Sequence, residues 1–365
     1  MIGVVTTSYP RWPGDPAGHF VAAHVAYLRA TGAEVEVIAA DDPQAIAQPG
    51  VIRVPAPAGL FYAGGAPDAL EAGARGAARF AAALTAAVLR RSHRWRAVCA
   101  HWWLPSGLAA IASRGPLLVI AHGGDLHLAR RLRLLAPVTA ALLARRARFA
   151  FVAEDLRRAA LAALPPGLAR RLDRAAIIEP MGIDRGAFAA LPRAPTSPPT
   201  IAVLARLVPI KGVDVAIAAM AHVRTPCRLV IAGDGPLRAA LATADPRVVF
   251  AGALDTGARD RLLAEASALV IPSRALATGR AEGLPLAALE GMAAGVPVIA
   301  SAVGGLAELP GSAITHVPPE DPAALAVAIE HVLQGAIDTR AAAARFIEDR
   351  DWRAVGARLD AHWRR

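Results

Sequence analysis

Residues 281–301 read AEGLPLAALEGMAAGVPVIAS, a pattern that predicts a loop, a helix starting near Leu286 and a buried strand. The segment holds two carboxylates, Glu282 in the loop and Glu290 about one turn into the helix. A glycine-containing loop that opens into a helix presents free backbone N–H groups, which suit an anion or hydroxyl groups. Carboxylate oxygens in turn accept hydrogen bonds from hydroxyls. Taken alone, such a pair is more often two solvated glutamates on a surface helix.

The same alternation of strand and helix runs through both halves of the chain. In the first half, strands are predicted at 2–6, 35–39, 97–100, 117–121 and 149–153, and helices at 20–30, 66–91, 106–114 and 126–146. In the second half, strands are predicted at 201–205, 228–232, 248–250, 268–271, 297–300 and 313–316, and helices at 213–223, 237–244, 259–266, 286–294 and 323–334. This alternation predicts an α/β protein with parallel sheets covered on both faces. Ligands of such sheets bind at the carboxyl ends of the strands.

The chain is long enough for two domains. Its 365 residues exceed what one ordinary core accommodates. Residues 191–200 contain PRAPTSPP, four prolines in eight residues, which predicts a linker. We therefore expect an N-terminal domain over 1–190 and a C-terminal domain over 200–350. The amphipathic segment 351–365 is expected to pack back on the first domain.

The composition excludes several classes of protein. Hydrophobic residues make up 55% of the chain and charged residues 19%, which is incompatible with disorder. No apolar run approaches the roughly 20 residues that span a bilayer, and the N-terminus lacks the pattern of a signal peptide. Cys99 and Cys227 lie in separate apolar runs, which favours two buried free thiols over a disulfide. A cytoplasmic location is expected.

The formal net charge of +10 points to nucleic acid, an anionic membrane surface or phosphorylated substrates as partners. Nucleic acid is the weakest of the three, because aromatic residues make up only 5% and no zinc-finger or RNP-like signature occurs. Arginines flank the apolar part of the predicted helix 126–146, at positions 130, 131, 133, 145, 146 and 148. A core helix with solvated ends is favoured there, and a helix lying on the inner face of an anionic membrane is the alternative.

One lysine stands apart from the other basic residues. Of the 40 lysines and arginines, all but Lys211 are arginine. A GC-rich genome explains the arginines but not the lysine that remains. An ammonium group is a compact charge on a thin stem, whereas a guanidinium is a bulkier fork. Lys211 is therefore expected in a tight functional site at the start of a helix.

Further motifs accompany these features in a fixed order. They are SYP at 8–10, GHF at 18–20, HGGD at 122–125, PMGID at 180–184, ARLVPIKG at 205–212, IAGDGPLR at 231–238, EGLPLAALE at 282–290 with GMAAGVPV after it, and GGLAE at 304–308. As a set, over nearly the full length, they resemble the GT-B-fold glycosyltransferases of family 4, a large retaining group. The resemblance implies two Rossmann-like domains that face each other across a cleft. It assigns the acceptor to the first domain and a nucleotide-sugar donor to the second.

The resemblance also implies roles for the residues at the matching positions. The donor diphosphate is held by Arg206 and Lys211, with help from Gly18, Gly304, Gly305 and Leu306. The ribose and base are contacted by Glu290, Gly252 and Leu254. The transferred sugar is contacted by Glu282, with the amides of Gly283 and Leu284 nearby. Many relatives read Glu-Gly-Phe-Gly where this chain has Leu284 and Pro285 after Glu282 and Gly283, so the sugar contacts at those two positions are expected to differ.

In the first half, the resemblance places His122 beside the reacting sugar, and it implies His122, Asp125 and Glu282 as the catalytic residues. From the residues alone, His122 is either a cleft residue or a loop histidine bonded to the backbone. His19, His101, His127, Trp102 and Trp103 are nearby in sequence, and packing is favoured for them over acceptor contacts.

No cofactor or metal is expected, because the sequence has no Asp-X-Asp at a strand end, no Cys/His cluster and no HExxH. The expected activity is metal-independent transfer of a sugar, with retention, from a UDP-sugar in preference to a GDP-sugar. The acceptor is a hydroxyl compound, lipid-linked or a glycan, in polysaccharide or glycoconjugate biosynthesis of bacterial type. A nucleotide-sugar epimerase or phosphorylase and a non-enzymatic nucleotide-sugar binder are the alternatives. Glycoside hydrolysis is disfavoured because both glutamates fall on one domain.

Overall fold

The computed structural model describes residues 1–57, 60–62 and 74–364. The chain forms two compact units, one from Met1–Gly182 with Trp352–Arg365 and the other from Ile183–Asp351. Each unit is a parallel sheet with helices packed against it, so the predicted α/β class with two Rossmann-like domains is confirmed. No helix among the described residues has the length and apolar character needed to cross a membrane.

The first unit is built on a seven-stranded parallel sheet. Its strands are β1 (Ile2–Val5), β2 (Val35–Ala40), β3 (Val51–Val54), β4 (Ala97–His101), β5 (Leu117–Ala121), β6 (Arg148–Phe151) and β7 (Ala176–Ile178). Its helices before the second unit are α1 (His19–Ala30), α2 (Ala74–Arg91), α3 (Gly124–Arg131), α4 (Leu135–Ala144), α5 (Glu154–Ala162) and α6 (Pro166–Arg174), with one short segment at Leu108–Ala110. The strand order β3-β2-β1-β4-β5-β6-β7 reverses direction between β1 and β4.

The second unit is built on a six-stranded parallel sheet. Its strands are β8 (Thr200–Leu204), β9 (Arg228–Ala232), β10 (Val248–Gly252), β11 (Ala266–Ile271), β12 (Val298–Ser301) and β13 (Thr315–Val317). Its helices are α7 (Arg185–Ala189), α8 (Val213–Ala219), α9 (Thr256–Glu265), α10 (Leu286–Ala293), α11 (Pro322–Leu333) and α12 (Arg340–Phe346). The order β10-β9-β8-β11-β12-β13 reverses between β8 and β11. The last helix, α13 (Trp352–Trp363), returns to the first unit.

Buried apolar side chains line both faces of the central strands. In β8, for example, Ile201 and Val203 belong to the core on one face, whereas Ala202 belongs to the core on the other. Cys99 and Cys227 are both buried free thiols. Strands that are apolar on both sides must be covered on both sides, which is what the strand–helix alternation provides.

Three predicted helices differ most from the structure. The predicted helix 126–146 is two helices, α3 and α4, because Arg133 lies in the left-handed region with φ 56° and interrupts the first. The predicted helix 106–114 is replaced by a π-helical segment, Trp103–Gly107, followed directly by the short helix Leu108–Ala110. The predicted helix 237–244 is wrong, since this segment forms turns. Gly235 just before it has φ 158° and lies against the backbone of Leu207, which ties the chain to the loop after β8.

Other elements were not predicted or begin elsewhere. The strands β3 and β7 and the helices α5, α6, α7 and α12 were not predicted, and none of them is longer than nine residues. The first part of the predicted helix 66–91 lies outside the described residues. The proline-rich stretch 191–200 lies within the second unit, where the backbone N–H of Ala194 donates to the carbonyl of Ala264 at 3.0 Å.

Candidate functional site

Lys211 and Glu282 form an ion pair in the second unit. The Nζ atom of Lys211 is 2.5 Å from Oε2 of Glu282. Their side chains are 18% and 14% exposed, so the pair is largely shielded from bulk water while remaining open to a ligand. Lys211 follows β8 and Glu282 follows β11, the two neighbouring strands at which the sheet order reverses. Ligands of open parallel sheets bind at such a point.

The turn that carries Lys211 depends on Gly212. This glycine has φ 58° and joins the short 3₁₀ turn Pro209–Lys211 to α8. A Cβ atom at Gly212 would lie 1.9 Å from the carbonyl oxygen of Pro272, which follows β11. The close approach of these two loops brings Lys211 to Glu282, and only glycine allows both the backbone angle and the contact.

The turn at Gly304 and Gly305 holds Glu282 from the other side. Gly304 has φ 55°, and a Cβ there would lie 2.2 Å from the carbonyl oxygen of Glu282. The backbone N–H of Gly305 donates to the same oxygen at 3.2 Å. The side chain of Leu306 is buried in the core, so only its backbone can serve a ligand. The structure therefore brings this predicted phosphate turn to the predicted sugar residue.

Glu290 is buried on α10, with 6% of the residue exposed. Its Oε1 atom is 3.2 Å from Nη1 of Arg259 on α9, and that guanidinium lies over the ring of Phe188, 4.9 Å from its centroid. Arg259 was missed in the sequence, because nothing local indicates that its side chain meets that of Glu290, 31 residues further along the chain. The guanidinium orients the Glu290 carboxylate through a charge-assisted hydrogen bond.

A second cation near Lys211 was also missed. Arg274 follows β11, and its backbone N–H donates to the carbonyl of Ile210 at 3.0 Å. Its Nη2 atom is 2.5 Å from Oδ2 of Asp214 on α8. The signal was its position directly after a buried strand, where ligand-binding groups collect. Arg206, after β8, is exposed.

The remaining predicted contacts of the donor are more dispersed. Gly252 ends β10, two strands away from β8 in the sheet, and its carbonyl accepts from the N–H of Gly233 at 2.7 Å. Leu254 and Leu284 are partly buried against the core, and Gly283 is half-buried in the loop. The roles that the sequence predicts for these residues stay predictions.

In the first unit, His122 ends a row of three histidines. Nε2 of His122 is 3.1 Å from Nδ1 of His101, and Nε2 of His101 is 3.1 Å from Nδ1 of His24. His122 follows β5, His101 ends β4 and His24 lies on α1. The residues are far apart in the chain, so only the sheet order brings them together. Sequence reasoning favoured packing for His101 and did not consider His24.

Asp125 holds the loop that carries His122. Its Oδ1 accepts from the backbone N–H of His122 at 3.2 Å and of Gly123 at 2.8 Å, and its Oδ2 accepts from the N–H of Trp103 at 2.6 Å. Burial raises the pKa of Asp125, while these backbone hydrogen bonds act in the opposite direction. Both carboxylate oxygens are therefore engaged by the backbone that orients His122.

Aromatic rings surround His122. Its ring centroid is 5.0 Å from that of Phe20 and 5.1 Å from that of Trp102. Trp102 has φ 74°, an unusual angle for a residue other than glycine. Trp103, by contrast, is fully buried against Phe149, as the packing interpretation predicts. The half-buried Trp102 is the one of the pair beside His122.

Gly18 closes the loop after β1. It has φ 68°, and a Cβ would lie 2.6 Å from the carbonyl oxygen of Ser8. The left-handed turn lets α1 begin directly against the Ser8–Tyr9 backbone. The SYP motif at 8–10 and the GHF motif at 18–20 therefore contact each other, through the backbone of Ser8 and Gly18.

The three histidines are neutral at physiological pH. Desolvation lowers the pKa of His122 to about 3 and that of His24 to about 4, and it lowers the pKa of His101 well below its ordinary value. Neutral imidazoles present one donor and one acceptor each.

One group of described residues could hold a metal ion. The ligand atoms of His24, Cys99 and His101 lie within 4.8 Å of one another, and all three residues are buried. The sequence showed no Cys/His cluster because His24 lies far from Cys99 and His101 in the chain, and the expectation that no metal is required stays a prediction. Burial strongly raises the pKa of the Cys99 thiol, which opposes the thiolate that a metal requires. The two imidazole nitrogens that face each other are hydrogen-bonded.

The two Rossmann-like units match the fold of GT-B glycosyltransferases. Anabaena HepE in complex with UDP-glucose superposes with a TM-score of 0.73 and 16% sequence identity, covering 99% of this chain and 98% of that one. At this identity the likeness concerns the fold.

The residues that match a known family model lie in the second unit. Residues 198–335 match the family model of the glycosyl transferases group 1. The chain is 36% identical over 190 residues to a glycogen synthase of Mycobacterium tuberculosis, covering 48% of this chain and 44% of that protein. It is 39% identical over 118 residues to a GDP-mannose-dependent monoacylated alpha-(1-6)-phosphatidylinositol monomannoside mannosyltransferase of Corynebacterium glutamicum, covering 30% of this chain and 31% of that protein. The chain thus spans less than half the length of these curated relatives.

Proposed function

We propose that the protein is a retaining glycosyltransferase of family 4, which transfers a sugar from a nucleoside-diphosphate sugar to a hydroxyl acceptor. The observation that carries the proposal is the Lys211–Glu282 pair at the point where the strand order of the second sheet reverses. A cation for the diphosphate and a carboxylate for sugar hydroxyls lie side by side there, within the residues that match the group 1 family.

The reaction breaks the bond between the anomeric carbon and a diphosphate oxygen and forms a bond from that carbon to the acceptor oxygen. The nucleoside diphosphate leaves with the electron pair of the broken bond and therefore with additional negative charge. The proton of the acceptor hydroxyl passes to the leaving diphosphate or to water. Lys211, Arg206 and Arg274 supply positive charge for the leaving group, which is the main electrostatic requirement. We propose that these side chains suffice without a metal ion.

The neighbouring groups take the other parts of the donor. Glu290, held by Arg259, accepts hydrogen bonds from the ribose hydroxyls. Gly304, Gly305 and Leu306 offer backbone groups to the phosphates. When the donor binds, phosphate oxygens take the place of the Glu282 carboxylate beside Lys211. Glu282 then accepts hydrogen bonds from hydroxyls of the transferred sugar.

In the first unit, His122 binds a hydroxyl of the transferred sugar through Nδ1, the nitrogen not engaged by His101. Asp125 acts as a positioning residue for the loop of His122, since its oxygens are engaged by backbone N–H groups. Gly18 offers its backbone to the phosphates.

UDP is the proposed nucleotide, supported by the UDP-glucose complex of the structural neighbour HepE. The GDP-mannose-dependent relative makes GDP the competing choice. The proposed acceptors are glycans or lipid-linked molecules, in line with the glycogen synthase and the phosphatidylinositol-mannoside enzyme among the relatives.

A thermal-shift comparison of UDP, GDP and ADP identifies the base before any acceptor is known. The nucleotide with the largest stabilisation is then tested as UDP-glucose or GDP-mannose, with release of free nucleoside diphosphate as the readout and EDTA as the test of metal dependence. Proton NMR of the product's anomeric signal distinguishes retention from inversion. An epimerised donor, or tight binding without transfer to any acceptor, would contradict the proposal.

We propose that the protein is cytoplasmic and makes peripheral contact with an anionic membrane. Because 126–146 is not one helix, the predicted basic amphipathic helix does not carry this idea. A groove of about 430 Å³ in the first unit supports it instead, and it is lined by Arg146, Arg148, Arg171 and Arg174 with apolar neighbours. None of these four arginines makes an ion pair with a carboxylate in the part of the chain described. An anionic headgroup would offset their mutual repulsion.

Flotation with phosphatidylglycerol vesicles tests the contact. Wild-type protein is expected to float with these vesicles at low salt, whereas a variant with Arg146, Arg171 and Arg174 changed to glutamine stays in the soluble fraction. A matched control changes Arg224, Arg261 and Arg340 of the second unit. Equal flotation of both variants, or none of the wild type, would exclude this surface.

A further inference from the structure

The row of histidines lies where the strand order of the first sheet reverses. It begins at His24 on α1, continues through His101 at the end of β4 and ends at His122 after β5. Both nitrogen–nitrogen distances along the row are 3.1 Å. His24 and His101 are 1% and 0% exposed, so bulk water does not compete for these two hydrogen bonds.

The ring geometry favours direct hydrogen bonds. The rings of His101 and His122 differ in plane by 14°, with centroids 5.3 Å apart. The N–H bond and the nitrogen lone pair of an imidazole both lie in the ring plane. The rings of His101 and His122 are nearly parallel, whereas those of His24 and His101 are turned by 70° with centroids 5.3 Å apart, so the planes are aligned in the first contact only. His24 is fixed on its other side by Trp352 of α13, whose ring is parallel within 7° at 5.2 Å.

This arrangement couples the positions of three protons. A neutral imidazole carries one proton, on Nδ1 or on Nε2. His101 bonds to an imidazole at both nitrogens, so it must donate from one and accept at the other. If His101 donates from Nδ1 to His122, then His122 holds its proton on Nδ1 and His24 donates from Nδ1. In the opposite state all three protons are on Nε2.

We propose that His101 and His24 are positioning residues that determine which nitrogen of His122 carries its proton. Within the described residues, Nδ1 of His122 has no hydrogen-bond partner. In one state of the row this nitrogen donates a hydrogen bond, and in the other it accepts one. For the reaction, the inference rests on the proposed function, in which a hydroxyl of the transferred sugar would be the hydrogen-bond partner of Nδ1.

Nitrogen-15 NMR of protein labelled at histidine tests the inference without any substrate. The Nδ1 and Nε2 shifts of His24, His101 and His122 are expected to report the same tautomer in all three rings. His24→Gln is expected to change the tautomer population of His122, although the two residues make no hydrogen bond with each other. His93→Gln, at an exposed position of the same unit, is the matched control.

The kinetic readout separates positioning from folding. In His24→Gln and His101→Gln, kcat is expected to fall roughly 10- to 100-fold, the usual effect of removing a group that orients a functional histidine. The KM for the donor should stay nearly unchanged. If His101→Gln fails to fold, His24→Gln alone decides the question, and His24→Asn serves if that variant fails too.

Two results would overturn the inference. One is an unchanged tautomer of His122 in folded variants of His24 and His101. The other is a stoichiometric metal ion in the purified protein that is lost in His24→Gln, since a metal would occupy the nitrogens that the row uses. A wild-type protein without transferase activity contradicts the proposed function only, and the NMR result still stands.

Discussion

The setting of Lys211 accounts for its residue type. Lys211 lies on a one-turn segment that ends at a glycine-dependent contact, and its ammonium group meets a carboxylate in a site with little exposure. A guanidinium is longer and forked, so we expect it to fit this contact less well than the ammonium group of Lys211.

Replacing Lys211 should abolish transfer and leave the fold intact. Lys211→Ala is expected to lower kcat/KM by about 100-fold or more, since removal of one group that stabilises a developing charge typically costs that much. The free energy of unfolding should fall by no more than about 1.5–3 kcal/mol, the usual contribution of a hydrogen bond to a charged group, so the fold is expected to persist. Release of nucleoside diphosphate and thermal unfolding measure the two effects.

Lys211→Arg is the informative companion, because it keeps the charge. We expect it to remain well below wild-type activity. Wild-type activity in Lys211→Ala would remove Lys211 from the donor site, and wild-type activity in Lys211→Arg would show that charge alone matters there.

The Arg259–Glu290 pair makes a separate prediction. Arg259→Ala leaves a buried carboxylate without this partner, so the free energy of unfolding should fall by about 1.5–3 kcal/mol. The affinity for nucleoside diphosphates, measured by calorimetry, should fall as well, because Glu290 is no longer oriented. Arg261→Ala, an exposed position on α9, is the control. Equal stabilities of the two variants would mean that Arg259 does not support Glu290.

His24 leads to a prediction about pH. Its pKa in the folded protein is about 4, lowered mainly by burial, against about 6.5 in an unfolded chain. The unfolded state therefore binds the proton first, so the protein loses stability as pH falls from about 6.5 toward 4 and regains it as pH rises. His101 and Cys99 lie beside His24, and Arg364 adds a repulsive positive charge that lowers its pKa further.

Denaturant unfolding at several pH values between 4 and 7 measures this effect. The free energy of unfolding of His24→Gln should depend less steeply on pH than that of the wild type over this range. Carboxylates titrate in both proteins, so only the difference between them reports on the histidine. Parallel pH profiles would show that His24 titrates normally in the folded protein.

At the scale of elements, the loops after β8, β11 and β12 support one another through glycine contacts. The turn of Gly212 touches Pro272, and the turn of Gly304 touches Glu282. These loops are joined at backbone atoms, where no side-chain rearrangement can relieve a clash.

Gly304→Ala tests this arrangement against a matched position. Gly295 has a similar angle, φ 67°, and no atom lies within 4 Å of the point that a Cβ would occupy there. Gly295→Ala should therefore cost about 1 kcal/mol for the left-handed backbone alone. At Gly304 the added atom meets a carbonyl oxygen at 2.2 Å.

Gly304→Ala should accordingly destabilise the protein more than Gly295→Ala and weaken nucleotide binding. Thermal unfolding with and without nucleotide measures both effects. Similar effects of the two substitutions would argue against a strained contact at Glu282.

At the scale of the whole molecule, the last helix, α13, belongs to the first unit although it follows the second unit in the chain. The chain leaves the first unit after Gly182 and returns to it at Trp352. Trp352 packs against the backbone of Gly182 and stacks on His24, so α13 completes the unit that carries His122. Arg358 of this helix also pairs with the buried Glu179 at 2.7 Å.

Trp352→Ala should destabilise the first unit selectively. The loss of a buried indole typically costs about 3–5 kcal/mol. In calorimetry, the unfolding transition that nucleoside diphosphate does not raise is expected to move to lower temperature. Arg353→Ala, at an exposed position of the same helix, should leave it in place. A shift of the nucleotide-stabilised transition instead would assign the helix to the second unit.

Local patterns along the chain were sufficient to predict the α/β class. Every predicted strand lies close to a strand of one of the two sheets, for example at Leu117–Ala121 and Arg228–Ala232. Apolar periodicity is local, so it can be recognised without knowing what packs against it. Lys211, Glu282 and Glu290 were likewise singled out from local motifs. Short edge strands and helices with weak patterns were not found, since their burial comes from neighbours distant in the chain.

Only the folded structure shows which of these residues contact one another. The Lys211–Glu282 contact, the Arg259–Glu290 pair and the row His24, His101 and His122 all join groups on different elements. Their distances follow from strand order and from the close approach of loops at glycines. A single sequence does not contain that information in local form, because partners far apart in the chain leave no common periodicity.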